Sequence, residues 1–177
     1  MPTRSSGIRI KNFGQMDERF YRGAQPRKND FKHLAALGIS TIIDLRERTD
    51  RREQTQVEAV GMHYVSIPMN ATDCPRLEQT NAFLKITSEV MGKFFVHCAG
   101  GRHRTGVMGA VYRSTNSRWN FDRVYSEMLL YGFYTRWGHG ALKTFVEDYS
   151  RRQRSGACSR GLAETWSTDA NSRCEEA

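Results

Sequence analysis

The chain contains no run of about eighteen apolar residues, so no membrane-spanning helix is expected. Its opening, Met1-Pro2-Thr3-Arg4-Ser5-Ser6, lacks the apolar core of a secretory signal. Cysteine is scarce. The four present (Cys74, Cys98, Cys158 and Cys174) show no C-x-x-C spacing, which argues against a zinc knuckle or a disulfide scaffold. Cys158 and Cys174 read as free thiols of a reducing cytoplasm, a reading that does not suffice for Cys98. Neither G-x-x-x-x-G-K-[ST] nor G-x-G-x-x-G occurs, so no nucleotide cofactor is implied, and no metal site is expected. There is no internal repeat. A net charge of +8 invites a nucleic-acid reading, yet the basic residues are dispersed and no RNA-binding aromatic motif is present. That charge reads as a solvated surface, or as a field that concentrates a phosphorylated substrate. Partners of the nucleic-acid and membrane classes are therefore not expected.

With 177 residues, 38% of them hydrophobic, the chain has room for one domain with a substantial core and a tail. The continuous apolar run at 40–45 reads as a buried strand, 62–69 and 94–97 as further strands, and Phe20-Tyr21-Arg22 as an edge strand closed by Pro26. Between them, helices are expected from Asp30 to Leu37, Thr49 to Val60 and Leu77 to Val90. Three more follow, over 106–114, 121–130 and 141–151. This alternation predicts an α/β fold with a small, mostly parallel central sheet flanked by helices on both faces. In such sheets ligands sit at the carboxyl ends of the strands.

At one of those ends lies His97-Cys98-Ala99-Gly100-Gly101-Arg102-His103-Arg104-Thr105-Gly106. A glycine-bearing loop between strand and helix turns successive backbone N–H groups into one concavity, and the helix dipole adds positive potential. A cysteine at its floor can be held as a thiolate, and an arginine at its rim can clamp two phosphate oxygens. The pattern calls for a nucleophile that accepts a phosphoryl group.

His-Cys-x5-Arg-Thr-Gly resembles the signature loop of cysteine-dependent protein tyrosine and dual-specificity phosphatases. Phe20-Tyr21-Arg22-Gly23-Ala24-Gln25-Pro26 and Gly38-Ile39-Ser40-Thr41-Ile42-Ile43-Asp44-Leu45-Arg46 are similar to the opening of small bacterial dual-specificity-like members, relatives of the plant and fungal atypical group. The resemblance implies a phosphatase domain over 13–151; residues 1–12 read as a flexible lead-in, and 152–177, with few apolar residues and no period, as a disordered tail. It also implies metal-independent hydrolysis of phosphomonoesters, with phosphotyrosine and also phosphoserine or phosphothreonine in proteins as substrates and a phosphocysteine intermediate.

Within this reading Cys98 is the nucleophile and Arg104 grips the equatorial phosphate oxygens. Ala99, Gly100, Gly101, Arg102, His103 and Arg104 form the substrate-binding loop. Thr105 donates to the departing thiolate, and His97 braces the loop from the opposite side of the strand. Asp73 is the candidate general acid, on a loop after the strand that precedes the signature strand; no Trp-Pro-Asp sequence is present. Asp44, in Asp44-Leu45-Arg46, is read as an architectural ion-pair partner. Cys74, beside Asp73, is a candidate disulfide partner for an oxidised Cys98. Tyr134-Thr135-Arg136-Trp137-Gly138-His139-Gly140 either lines the substrate mouth or packs as a turn against the last helix. Arg102 and His103 keep a second enzymatic reading open, an inositol polyphosphate or pyrophosphate phosphatase. A non-catalytic phosphate-binding module and a rhodanese-type sulfur transferase are further alternatives.

Overall fold

The alternating strands and helices assemble around one twisted sheet, and the computed structural model describes residues 8–155. The strands are β1 (Gly14–Gln15), β2 (Phe20–Ala24), β3 (Ile39–Asp44), β4 (His63–Ser66) and β5 (Lys93–Cys98). The helices are α1 (Asp30–Ala36), α2 (Arg51–Glu58), α3 (Leu77–Glu89), α4 (His103–Asn116), α5 (Phe121–Leu130) and α6 (Gly140–Arg154). The sheet order is β1-β2-β5-β3-β4; β2, β5, β3 and β4 run parallel and β1 pairs antiparallel with β2. The strand that delivers Cys98 is therefore central, with neighbours on both sides, which fixes the base of the loop that follows it.

Side chains alternate across that strand. Phe94, Val96 and Cys98 join Phe20, Ile43, Phe83, Met108 and Tyr112 on one face. Phe95 lies on the other, with Ile42, Phe31 and Leu34 of α1 and Val57 of α2. A third apolar cluster holds α4 against α5 and α6 through Val107, Val111, Val124, Met128, Leu142 and Val146. Helix α4 is consequently buried nearly all round from Thr105 to Ser114. No helix among the described residues is long and apolar enough to cross a membrane.

Several boundaries differ from the sequence expectation. β2 is not an edge strand: it is buried along its length because the two-residue β1 covers its outer side. The strand expected over 62–69 pairs only from His63 to Ser66, since β4 has a partner on one side alone. Helix α4 begins at His103 rather than Gly106, drawing three loop residues into its first turn. The lead-in expected over 1–12 is corrected for its last residues. Ile10 is only 8% exposed and packs in the cluster with Phe95, while Asn12 donates from Nδ2 to the Gly100 carbonyl at 2.8 Å. Residues 1–7 lie outside the described residues. At the other end α6 runs past 151, because Gln153 is buried and its carbonyl accepts from Arg118 Nη1 at 2.9 Å. The remainder of the expected tail, 156–177, including Cys158 and Cys174, lies outside the described residues.

Candidate active site

The loop from Cys98 to Arg104 closes over the ends of β2 and β5, and glycine is required at one point in it. Gly101 has φ +64°, a left-handed conformation, and a β-carbon there would sit 2.4 Å from Gly23 C and Ala24 N. Three tethers hold the loop to the opening segment of the chain. Gln25 N–H donates to the Ala99 carbonyl at 3.3 Å, Asn12 reaches Gly100, and Arg22 Nη2 donates to the Gly101 carbonyl at 2.5 Å. The segment quoted as Tyr21-Arg22-Gly23-Ala24-Gln25 is thus the floor of the loop.

Cys98 is a free thiol, 3% exposed, at the end of β5. Burial pushes its pKa up, but the Thr105 hydroxyl, the Thr105 and Gly101 N–H groups and the Arg104 charge outweigh burial and hold the thiol below its ordinary value. Thr105 is fully buried and among the described residues its hydroxyl has no other hydrogen-bond partner, so the sulfur is what it serves. Arg104 is held from behind by the Met69 carbonyl, which accepts from Nη1 at 3.0 Å. Arg22 is 1% exposed, and its guanidinium carbon lies 4.1 Å from the Tyr131 ring centroid. Burial pushes its pKa down to about 10 against the pull of Tyr131, Cys98 and Glu127, leaving it charged at neutral pH. Sequence reasoning gave Arg22 no role; a cation inside an otherwise apolar strand was the available signal.

His97 faces away from Cys98, as alternation on β5 requires. It is fully buried, with Nε2 2.8 Å from Glu53 Oε1 and Nδ1 3.8 Å from Asp44 Oδ1. The ring is out of line for a hydrogen bond to either. Arg46 bridges the same carboxylates, at 2.7 Å to Asp44 and 2.6 Å to Glu53. Tyr64 donates to Asp44 at 2.7 Å. Burial raises the Asp44 pKa, but Arg46, His97 and Tyr64 together bring it below its ordinary value. The ion pair expected of Asp44 and Arg46 is present, and Glu53 is its unforeseen third member. Asp44, Glu53 and His97 are also the residues whose donor atoms, within 4.8 Å of one another, could hold a metal ion. Arg46 already supplies both carboxylates with a cation.

The remaining candidates separate. Asp73 lies exposed on the loop between β4 and α3, where the Thr72 hydroxyl donates to it at 3.4 Å. Cys74 packs against the α4–α6 cluster and is disulfide-bonded, not free, and Cys98 is not its partner, which corrects both the free-thiol reading and the pairing expected with an oxidised Cys98. His103 is turned to the 134–140 segment: its ring stacks on His139 with centroids 3.6 Å apart, and Nε2 meets the Tyr134 carbonyl at 3.2 Å. Burial first, then the charges of His139, Arg102 and Arg104, push the His103 pKa down to about 4. The 134–140 segment therefore packs against the signature loop, with Trp137 81% exposed at its tip.

The family described as a DSP-PTPase phosphatase fused to NAD+ kinase matches residues 6–135. The chain belongs to that family. The phosphatase is 28% identical over 131 residues to the OCA1 protein of Mycosarcoma maydis, spanning 66% of this chain and 77% of that one. It is 27% identical over 123 residues to the dual specificity protein phosphatase TpbA of Pseudomonas aeruginosa, spanning 69% of this chain but only 55% of TpbA. The TpbA crystal structure superposes with a TM-score of 0.69 at 22% identity, covering 88% of the phosphatase and 99% of that chain. The catalytic core of the PP-IP phosphatase SIW14 of S. cerevisiae gives a TM-score of 0.72 at 20% identity, covering 87% and 94%. The fold expected from the signature loop is the fold these structures share.

Proposed function

We propose that the phosphatase hydrolyses phosphomonoesters through a phosphocysteine intermediate, with phosphotyrosine, and also phosphoserine or phosphothreonine, in proteins as substrates. The observation that carries this is a buried free Cys98 held below its ordinary pKa inside an N–H-lined loop, with Arg104 at the rim. A thiolate so placed attacks phosphorus in line while Arg104 and the loop amides gather the equatorial oxygens. Positioning and charge stabilisation supply most of the rate in such a transfer, and both groups are fixed in place by Met69 and Thr105 before substrate arrives. The phosphorus–oxygen bond of the ester breaks as the sulfur–phosphorus bond forms, and Asp73 protonates the leaving oxygen from the exposed loop. Water then attacks the phosphocysteine, with Asp73 accepting its proton, and the Thr105 hydroxyl stabilises the departing thiolate. A TpbA variant has been crystallised with pTyr, which supports the phosphotyrosine reading.

The test is phosphate release from p-nitrophenyl phosphate with chelator present, comparing wild type and Cys98→Ser. Chelator-resistant turnover that disappears in the variant is expected. Equal turnover by the two proteins would overturn the assignment of Cys98. A second reading, a phosphatase of small polyphosphates, is favoured by an arginine-lined cavity at the rim of the loop, and SIW14 is named for that chemistry.

A further inference from the structure

Asp73, the proposed acid, sits midway along the loop between β4 and α3, and both ends of that loop are fixed. At its start the Met69 carbonyl accepts from Arg104 Nη1 at 3.0 Å, and the Pro68 carbonyl accepts from Gln79 Nε2 at 2.6 Å. At its end the Arg76 N–H donates to Gln79 Oε1 at 2.7 Å, where α3 opens. The middle of the loop rests on a different segment. The Thr72 methyl lies 3.7 Å from the place that a β-carbon on Gly138 would take, so the loop approaches a bare glycine there. The Cys74 sulfur lies 3.5 Å from the Ala141 carbonyl oxygen, and its side chain packs in the cluster with Leu142. The residues flanking Asp73 are thus seated on 138–141. That segment is in turn fastened to the signature loop. His103, the first residue of α4, stacks on His139 with 11° between the ring planes. Its Nε2 meets the Tyr134 carbonyl, and the Tyr134 ring stands edge-on to it with centroids 4.3 Å apart. Burial lowers the pKa of both imidazoles, so at neutral pH the pair stacks uncharged. The turn between the two anchor points is strained. Trp137 and Gly138 take φ of +55° and +82° in succession, and a tryptophan in the left-handed region is uncommon. Such a conformation persists only where its surroundings over-determine it. Trp137 is 81% exposed, so burial of its ring does not hold the turn, and the contacts at Gly138 and His139 do.

We infer that residues 134–141 form a strut that sets the acid loop against the signature loop, with Tyr134 and His139 as positioning residues for Asp73. The inference rests on the phosphatase reading and on Asp73 as its acid. A general acid works only within hydrogen-bond reach of the leaving oxygen. Displacing its loop therefore weakens proton transfer and leaves attack by Cys98 intact, since Cys98 and Arg104 have supports of their own in Thr105 and Met69. The nature of the leaving group separates this role from a general loosening of the site. A basic leaving oxygen, such as that of phenol or tyrosine, needs the proton, whereas p-nitrophenoxide departs well without it.

The strut is tested through the ratio of kcat/KM for p-nitrophenyl phosphate to that for phenyl phosphate. In His139→Ala this ratio is expected to rise about tenfold, a part of the contribution of about 10²–10⁴ that a positioned acid makes. His139→Phe, which keeps a flat ring against His103, should restore most of the wild-type ratio. Asp73→Asn should raise the ratio by itself, and adding His139→Ala to it should raise it no further. Leu130→Ala, an exposed position at the end of α5, is the control and should keep the wild-type ratio. All rates are taken in one buffer with one reductant, so the Cys74 disulfide is in the same state throughout. An equal loss on both esters in folded His139→Ala would mean damage to the signature loop, and would overturn the strut. So would an unchanged ratio, or additive effects in the double variant. Thermal melting shows whether each variant is folded, and Tyr134→Leu, which removes only the edge-on ring, is read in the same way if His139→Ala does not fold. An Asp73→Asn protein with the wild-type ratio would overturn Asp73 as the acid and this inference with it. Turnover that still vanishes in Cys98→Ser would in that case leave the phosphatase reading standing.

Discussion

At Cys98 the balance between burial and local donors decides the chemistry. A buried thiol resists ionisation, and here Thr105, two backbone N–H groups and Arg104 reverse that resistance. Replacing Thr105 with Ala removes the largest of the compensating groups, so the thiolate should form only at higher pH. The rate of inactivation by iodoacetamide as a function of pH should shift its midpoint upward, and under the proposed mechanism turnover should slow for want of a donor to the departing thiolate. An unshifted midpoint would remove Thr105 from the role. Arg22 acts on the same sulfur from below, through charge and through the Gly101 carbonyl. Arg22→Met leaves that carbonyl without its donor and takes a buried cation from beside the thiolate. A loss of about 3 kcal/mol in denaturant unfolding is expected. The Cys98 inactivation midpoint should rise as well, and Arg22→Lys should restore part of that shift.

Among the elements, the loop and its two flanking segments behave as one unit. The turn at Gly101 fits because no side chain separates it from the backbone of β2 at Gly23 and Ala24. Gly101→Ala combines a left-handed φ with a contact of 2.4 Å to main-chain atoms that cannot rotate away. We expect it to lower stability by about 2 kcal/mol or more and to abolish turnover, as read by thermal melting and the aryl phosphate assay together. Gly100→Ala, where a β-carbon would meet nothing within 4 Å, is the internal comparison and should remain folded. Behind β5 the Arg46–Asp44–Glu53–His97 cluster ties the N-terminal turn of α2 to the residue preceding Cys98. The wall of the arginine cavity and the nucleophile strand thus share one rigid support.

For the whole molecule, pH is the external variable that the structure makes most specific. His103 has its pKa pushed down to about 4, so the folded protein binds fewer protons than the unfolded chain between that value and the ordinary histidine range near 6.5. The stability associated with this group is fully present above about pH 6.5 and is lost as pH falls toward 4. His139 shifts in the same direction through burial and adds to the effect. The melting temperature of wild type should therefore fall between pH 7.5 and 5 by more than that of His103→Asn. Equal falls would mean that the stacked pair does not contribute.

The parallel sheet, the loop and the identities of Cys98, Arg104 and Thr105 were legible in the chain because each is written locally. Apolar runs mark β3 and β5, and the cysteine-to-arginine spacing fits a single turn between strand and helix. Alternation along β5 likewise placed His97 on the face opposite Cys98. What the sequence left open depends on contacts between distant segments. The position of β2 inside the sheet follows from β1, too short at two residues to leave a periodic signal. Arg22 lies 79 positions from the carbonyl that it holds, and the partner of Asp44 and Arg46 at Glu53 emerges only once α2 packs on the sheet. The sequence alone determined which groups are the candidates for chemistry, since reactivity is a property of residue type and close spacing. Only the tertiary structure decided which charges are neutralised and which remain free, because that depends on the packing of the segments carrying them.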